Sequence, residues 1–388
     1  MKKLGIAIIG TGNIAHAHLD GYLKDDRCEV RALCDIYPEK CGRLCDDLGL
    51  QDRSRITVTT DYVKLLGRDD IDLVSVCLPP SLHEEVSSAF LLAGKHVLCE
   101  KPMAASLEEA DKMLDAEKKS GRILAIVSQN RFRQDAWNVK RMMDQGVFGK
   151  TYLTRAYSMW YRGTNYYDLW WRGTWDKEGG GCTLNHSVHQ IDMLNWFCGL
   201  PLTATSVFAN LAHPNSEVED ASLTLVTYPH SLGEISVSLN DMNERQGFLF
   251  QCEKASVTIP WSVKCVRQLP NGFPEEDEEA ERRFQKLYDS YPKLRKEGHP
   301  AEISNVIDAI TGKDRLVVNG EDGKQALELI YAVYRSATTK GTVLLPLTQN
   351  DPFYTKDGML RAVPRFYRKT KSVANLEGAI TLGNMGGK

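Results

Sequence analysis

"LGIAIIGTGNIAHAHLDGYL", residues 4–23, contains the turn that decides how the first half of this chain folds. An apolar run ends at Gly10, Gly12 and Ala15 follow in GxGxxA spacing, and a helical pattern opens directly behind them. A second apolar run, "CEVRALCD", ends at Asp35. Strand, glycine turn, helix and acidic strand end together describe a dinucleotide site. Glycine permits a tight turn and close approach to a pyrophosphate, the helix start offers unpaired amides, and a carboxylate about 20 positions on holds a ribose diol. The candidates for these contacts are Gly10, Thr11, Gly12, Asn13, Ile14 and Asp35. Ile36 and Tyr37, rather than an arginine, follow Asp35, whose charge would repel a 2'-phosphate. NAD is the expected cofactor, and Lys40 and Arg43 keep NADP open as the alternative.

The lysines ahead of this run superficially suggest a secretion signal. Glycine interrupts the short apolar run and charges follow at once, so a buried first strand is expected instead. The alternation then continues through "RITVTT", "DLVSVCLPP", "HVLCEKPMAAS" and "ILAIVSQNRF", separated by helical stretches such as "HEEVSSAFLLAGK" and "SLEEADKMLDAEKKSG". Strands alternating with helices imply a parallel sheet with crossovers, and Ser106 with Glu109 makes a capping box at one helix start. Ligands of such sheets bind beyond the C-terminal strand ends. That rule adds Leu78 and His83 of "LPPSLH", Glu100 and Lys101 of "CEKP", and Gln129 to the cofactor candidates. Pro102 cannot donate a ladder hydrogen bond, so the strand should end there with Lys101 pointing into a cleft, where a lysine is functional.

After Asn130 the pattern changes to "DAWNVKRMMDQG", "TYLTRAYSMWY" and the β-rich runs "ATSVFANL", "SLTLVTY", "GEISVSLN", "FLFQCEKASVTI" and "VKCVRQL". Successive strands with short links imply a mostly antiparallel sheet with helices packed on it. The expected fold class is α/β: an N-terminal Rossmann parallel sheet over residues 1–129, then an α+β domain with a large, mostly antiparallel sheet over 130–347, then a C-terminal arm over 348–388. A chain of 388 residues suits two such domains. The net charge of -3 gives no basic field for nucleic acid or anionic lipid, and no run approaches the ~18 apolar residues of a membrane span. Ten cysteines scattered through apolar segments, without a CxxC pair, read as reduced thiols of a cytoplasmic protein. Cys41 and Cys45 have no further ligand cluster beside them, and no metal is expected.

"GGGCTLNHSVHQIDMLNWF", residues 179–197, reads as three glycines leading into one helix. On that helix Asn185, His189, Asp192 and Trp196 would share a polar face, opposite an apolar stripe of Val188, Ile191, Leu194 and Phe197. HxxHxxD is also a metal-like spacing, but it lacks an acidic or cysteine partner. Asn185, His186 and His189 are therefore candidates for substrate contact. Just upstream, "MWYRGTNYYDLWWRGTW" carries four of the seven tryptophans. Aromatic faces pack against the C–H faces of sugar rings, which makes Trp160 and Trp175 further substrate candidates, with Arg162, Asn165 and Asp168 available to hydroxyls.

GxGxxA at Gly10, "EKP" at Glu100 to Pro102, "WWRGTW" before "EGGG", "NHSVHQID" and "GKQALELIYAVYRSATTKGTVLLPL" together resemble the Gfo/Idh/MocA family of sugar and polyol oxidoreductases over nearly the whole chain. The resemblance implies that Lys101 and His189 form the catalytic centre and that Trp171 and Arg172 approach the nicotinamide. Asn185 departs from the pattern, since many members carry an aspartate there. A narrower likeness to levoglucosan dehydrogenase and related glycoside 3-dehydrogenases implies oxidation of a ring hydroxyl to a ketone. His189 would act as base and Lys101 would stabilise the alkoxide. Redox-neutral glycoside cleavage or isomerisation with retained NAD, and an inositol or polyol dehydrogenase, are the alternatives. The resemblance further implies a small-molecule sugar or glycoside as partner and a homodimer or homotetramer. Basic and aromatic residues along the arm suggest that it packs on another part of that assembly, so that truncation after Thr348 would weaken it.

Overall fold

The computed structural model describes residues 3–374. The chain divides into two compact units, one built from 1–132 and 295–327, the other from 133–294 and 328–388.

In the first unit, β1 (Leu4–Ile9), β2 (Cys28–Cys34), β3 (Thr57–Thr59), β4 (Leu73–Val76), β5 (His96–Cys99) and β6 (Leu124–Ile126) form a parallel sheet in the order β3-β2-β1-β4-β5-β6. The helices between them are α1 (Ala15–Leu23), α2 (Pro38–Asp47), α3 (Val63–Leu66), α4 (His83–Leu92) and α5 (Leu107–Ser120). Because helices cover the sheet, its central strand β1 is a continuous apolar run, with Ile6, Ala7, Ile8 and Ile9 all buried. The strand order reverses at β1 and β4, which is where an open sheet of this kind leaves a crevice at its C-terminal edge. The cap expected at Ser106 is present: its Oγ accepts from the Glu109 amide at 3.1 Å, and the Glu109 carboxylate accepts from the Ala105 amide at 2.9 Å.

The return of 295–327 to this unit is absent from the linear division at 129 and 130. Helix His299–Ile310 brings Ile303, Val306 and Ile307 into the same core as Leu19, Tyr22 and Leu33. The alternation that marks the sheet stops at Asn130, and a lone amphipathic helix far downstream carries no sign of which core it will join.

The second unit holds an eight-stranded sheet and a separate ribbon. Its strands are β7 (Thr151–Met159), β8 (Thr203–Ala209), β9 (Ala221–Thr227), β10 (Leu232–Ser238), β11 (Gln246–Cys252), β12 (Ser256–Ile259) and β13 (Ser262–Lys264), then the ribbon strands β14 (Val266–Gln268) and β15 (Pro274–Glu276), and finally β16 (Val343–Leu344). The sheet order is β13-β12-β11-β7-β10-β9-β8-β16, antiparallel except for the β7 and β10 pair. The runs "FLFQCEKASVTI" and "VKCVRQL" each divide into two strands. The first turns where the Cys252 amide bonds the Ala255 carbonyl at 2.9 Å, and the second breaks at buried Cys265. Strand alternation points Ala204, Val226, Ile235, Phe248 and Phe250 inward, where Phe197 of helix Val188–Cys198 meets Phe250 with ring centroids 5.0 Å apart.

The described part of the arm packs within its own unit, through helix Lys356–Ala362 and an extended stretch that follows it. Its residues from 375 onward lie outside the described ones. All ten cysteines are free thiols, eight of them buried. Among the described residues no helix is long and apolar enough to cross a membrane.

Candidate active site

Gly10 turns the chain off β1 with φ +91, and a Cβ there would lie 2.3 Å from the Cys77 carbonyl oxygen. Only glycine fits both constraints. At Gly12 the space a Cβ would enter is open, with nothing within 4 Å among the described residues. The helix α1 behind it has no side-chain cap at Ile14 and no acidic residue in its first turn. The amides of Ala15, His16 and Ala17 bond the carbonyls of Gly12, Asn13 and Ile14, so what the turn offers an anion is the positive end of the helix. Asp35 is held at the end of β2 by three donors. Its Oδ2 accepts from the Thr11 amide at 2.8 Å and the Thr11 hydroxyl at 3.0 Å, and its Oδ1 accepts from the Tyr37 amide at 2.9 Å. A carboxylate has about four lone-pair sites, so capacity remains for a diol. Lys40 stands 4.6 Å over the Tyr37 ring. Asn13 is exposed and Ile14 half-buried at the same turn. Beyond β6, the Gln129 Oε1 is shielded from solvent and has no hydrogen-bond partner among the described residues. A buried acceptor of this kind calls for a donor, which a bound cofactor can bring. The residues present therefore fit a dinucleotide.

At the end of β5 the Glu100 carboxylate is 4% exposed. His18 Nε2 lies 3.0 Å from its Oε1 and His299 Nε2 lies 4.0 Å away, while its Oε2 accepts from the Lys101 amide at 3.2 Å. Burial by itself would raise this carboxyl. The His18 hydrogen bond and charge, with His299 and Lys101, outweigh it and bring the pKa down to about 2. Glu100 is thus a fixed negative charge under half-buried Lys101. Behind it, His18 Nδ1 lies 3.0 Å from Ser75 Oγ, which the Tyr22 hydroxyl meets at 2.7 Å. The sequence reading missed this chain of groups, although His18 and Tyr22 sit at i and i+4 on the buried stripe of α1.

His83 is fully buried, its Nδ1 2.8 Å from the Pro102 carbonyl and its Nε2 2.7 Å from the Leu78 carbonyl. Burial lowers its pKa against the pull of both carbonyls. It ties the loop after β4 to the loop after β5, and so braces the turn that carries Lys101. The Leu78 side chain lies against the Gly10 turn, with Cδ2 3.1 Å from where a Gly10 Cβ would stand.

In the second unit, a Cβ on Gly181 would fall 1.9 Å from the Glu219 carbonyl oxygen. The fully buried Glu219 carboxylate accepts from the amides of Gly181 and Thr183 and from the Tyr334 hydroxyl, each at 3.0 Å. Burial raises its pKa to about 7. The glycine run is thus the place where backbone closes onto a buried carboxyl.

The expected single helix is two: Cys182–Asn185, a break at His186 and Ser187, then Val188–Cys198. Ser187 Oγ donates to the Thr183 carbonyl at 2.7 Å, an i−4 bond of the sort that bends helices. Asn185 and His189 accordingly do not share one helical face. Asn185 donates from Nδ2 to the Gly180 carbonyl at 3.0 Å, and half-buried His189 occupies the first turn of the second helix. Buried Asp192 follows it on that helix.

His186 Nε2 lies 3.3 Å from the Tyr166 hydroxyl, which burial pushes up to about 12, and the His186 ring meets the Trp160 ring at 5.7 Å. Trp160 donates to Ser158 Oγ at 2.9 Å and carries the Arg162 guanidinium at 5.0 Å over its face. Arg172 lies over Tyr166 at 4.3 Å and Trp171 at 4.1 Å, and donates to Glu178 Oε1 at 2.8 Å. Trp175 is corrected to a core residue. It is fully buried, 5.1 Å from the Tyr334 ring, with Nε1 donating to the Pro364 carbonyl at 2.9 Å. An aromatic cluster in sequence does not separate rings that line a site from rings that hold one up.

Residues 4–128 match the model of an oxidoreductase family with an NAD-binding Rossmann fold, and residues 140–345 match that family's C-terminal alpha/beta domain. The chain is similar to D-glucoside 3-dehydrogenase of Escherichia coli (strain K12), at 30% identity over 201 residues, 52% of this chain and 55% of that protein. It is similar to the crystal structure of the WlbA dehydrogenase from Bordetella pertussis in complex with NADH and UDP-GlcNAcA. There the identity is 27% and the TM-score 0.76, covering 89% of this chain and 99% of that one. Levoglucosan dehydrogenase in complex with NADH shares the fold at 19% identity, with a TM-score of 0.75 and coverage of 89% and 100%.

Proposed function

The chain belongs to the Gfo/Idh/MocA oxidoreductase family, and from that premise we propose that it oxidises a ring hydroxyl of a sugar, anhydrosugar or glycoside to a ketone, with a 3-keto product. One observation carries this: Lys101 stands at a strand end of the NAD-binding sheet, backed by a carboxylate that two histidines hold charged. Likeness to a glucoside 3-dehydrogenase supports the substrate class. NAD, when bound, supplies the hydride acceptor. Gly10, Gly12 and the start of α1 would receive its pyrophosphate, Asp35 its ribose, and Gln129 would offer it an acceptor.

His189 takes the hydroxyl proton, because imidazole exchanges protons near neutral pH. Lys101 donates to the same oxygen and stabilises the alkoxide as it forms. Asn185 orients the substrate without titrating, in place of the aspartate of other members. Trp160 and His186 offer the ring and hydrogen-bonding surface beside it, and Trp171 with Arg172 forms the nicotinamide side. A homodimer or homotetramer is supported by the apolar outward face of the second sheet, where Val207, Leu223, Leu225 and Leu232 are exposed.

The test is NADH absorbance with purified protein, NAD or NADP, and a panel of glucose, inositol, levoglucosan and aryl glucosides. Accumulation with a sugar or glycoside supports the proposal. Accumulation with inositol alone replaces it by a polyol dehydrogenase, and product without accumulation replaces it by redox-neutral chemistry with retained NAD. Lys101→Ala and His189→Ala should each slow hydride transfer ~100-fold or more with NAD binding intact. Near-normal turnover in either removes that residue from the mechanism.

A further inference from the structure

The stretch Pro364–Val373 lies beyond residue 345, where the match to the family's C-terminal domain ends, and it runs along the segment Tyr166–Arg172. Lys369 Nζ donates to the carbonyl oxygens of Tyr167 and Leu169. Lys371 Nζ lies 2.5 Å from Asp168 Oδ2. Asn215 joins the two stretches: its Oδ1 accepts from the amides of Thr370 at 2.8 Å and Lys371 at 3.0 Å, and its Nδ2 donates to Asp168 Oδ1 at 3.0 Å and the Lys371 carbonyl at 2.9 Å. A bridge closes the end, with the Trp170 amide on the Val373 carbonyl at 2.9 Å and the Val373 amide on the Asp168 carbonyl at 2.7 Å.

We propose that this C-terminal strap is a positioning element of the substrate side of the site, with Lys369 as its central residue, an assignment that rests on reading Tyr166–Arg172 as ligand-facing. The segment it holds is a 3-10 turn, Thr164–Asp168, followed by a loop, and such pieces supply few hydrogen bonds of their own. The strap supplies them from outside. The charge of Lys369 also lowers the pKa of Glu178, against burial that raises it, and Glu178 is a carboxylate 1% exposed that anchors Arg172 and the Gly173 amide. Burial lowers the Lys369 pKa, and the charges of Glu178 and Asp168 work against that shift. Asp168, expected to serve substrate hydroxyls, is instead buried and committed to Asn215 and Lys371. Without the strap, the ordering of Tyr166–Arg172 would fall on the ligand, weakening substrate binding while leaving the cofactor turn untouched.

Lys369→Met and Asn215→Ala, made separately in the full chain, test this by hydrogen exchange and by steady-state kinetics. In each, exchange at the Trp170 and Val373 amides should quicken ~10-fold, and KM for the sugar should rise ~5-fold or more, with kcat within ~2-fold of the parent. Unchanged exchange in both variants overturns the strap, and quickened exchange with unchanged KM overturns its role in positioning. Exchange needs no substrate, so a parent protein inactive on the whole sugar panel would count against the proposed activity, while exchange would still decide whether the strap holds the loop.

Discussion

Glu100 in the first unit and Glu219 in the second are both buried carboxyls beneath a turn that leads to a candidate catalytic residue, and both accept backbone amides from that turn. They end in opposite protonation regimes. Glu100 meets His18 at 3.0 Å and His299 at 4.0 Å, and its pKa falls to about 2. The donors to Glu219 are neutral, two amides and the Tyr334 hydroxyl, and its pKa rises to about 7. Burial acts on both in the same direction, so the difference teaches that the partners around a buried carboxyl, rather than its depth, decide whether it stays charged. The turn of Lys101 therefore rests on a permanent charge, while the turn ahead of Asn185 and His189 rests on a group that exchanges its proton near neutrality.

The largest effect should come from removing the charge at the first site. Glu100→Gln leaves His18 and His299 facing a neutral amide, and breaking a buried pair in this way costs about 3–5 kcal/mol, read as a shift in the denaturant midpoint at neutral pH. A loss under about 1 kcal/mol would mean that the histidines are not holding a charge there. Because the folded pKa is depressed, this contribution is fully present above the ordinary carboxyl value of 4.5 and disappears as pH falls through about 2.

At the second site the sign reverses. A carboxyl raised from 4.5 to about 7 keeps in the folded state a proton that the unfolded chain has released, so its effect is to lower stability as pH rises between those values. At ~1.4 kcal/mol per unit the total is about 3 kcal/mol. Glu219→Gln should flatten that part of the pH profile of unfolding, and equal slopes in variant and parent would refute the assignment.

The smallest effect belongs to the far end of the Glu100 network. Tyr22→Phe removes the hydroxyl that meets Ser75 at 2.7 Å, with an expected cost of ~1 kcal/mol in thermal or denaturant unfolding. A cost near that of Glu100→Gln would place the weight of the network in its neutral part and break the contrast drawn above.

Much of the fold was legible because it is local. The glycine turn, the alternation of strands and helices through Ile126, and the shift to successive strands after Asn130 are all patterns over a few neighbouring residues. The site was legible to the same depth: Gly10 and Asp35 follow from spacing, and Lys101 from a strand end closed by proline. The break between Asn185 and His189 was hidden, because apolar spacing continues through Ser187 and the bend depends on a side chain bonding back to Thr183. Trp175 was misplaced for a related reason, since the Tyr334 ring that buries it comes from helix Gly320–Thr339.

By itself, then, the sequence determined the two kinds of sheet, the dinucleotide turn and the residue types available for chemistry, because period and turn chemistry are properties of adjacent residues. The tertiary structure alone decided which polar groups meet: His18 and His299 at Glu100, Tyr334 at Glu219, Lys369 at the Tyr167–Leu169 loop. Electrostatic energy depends on distance in space and on burial, and neither can be read from the order of the residues along the chain.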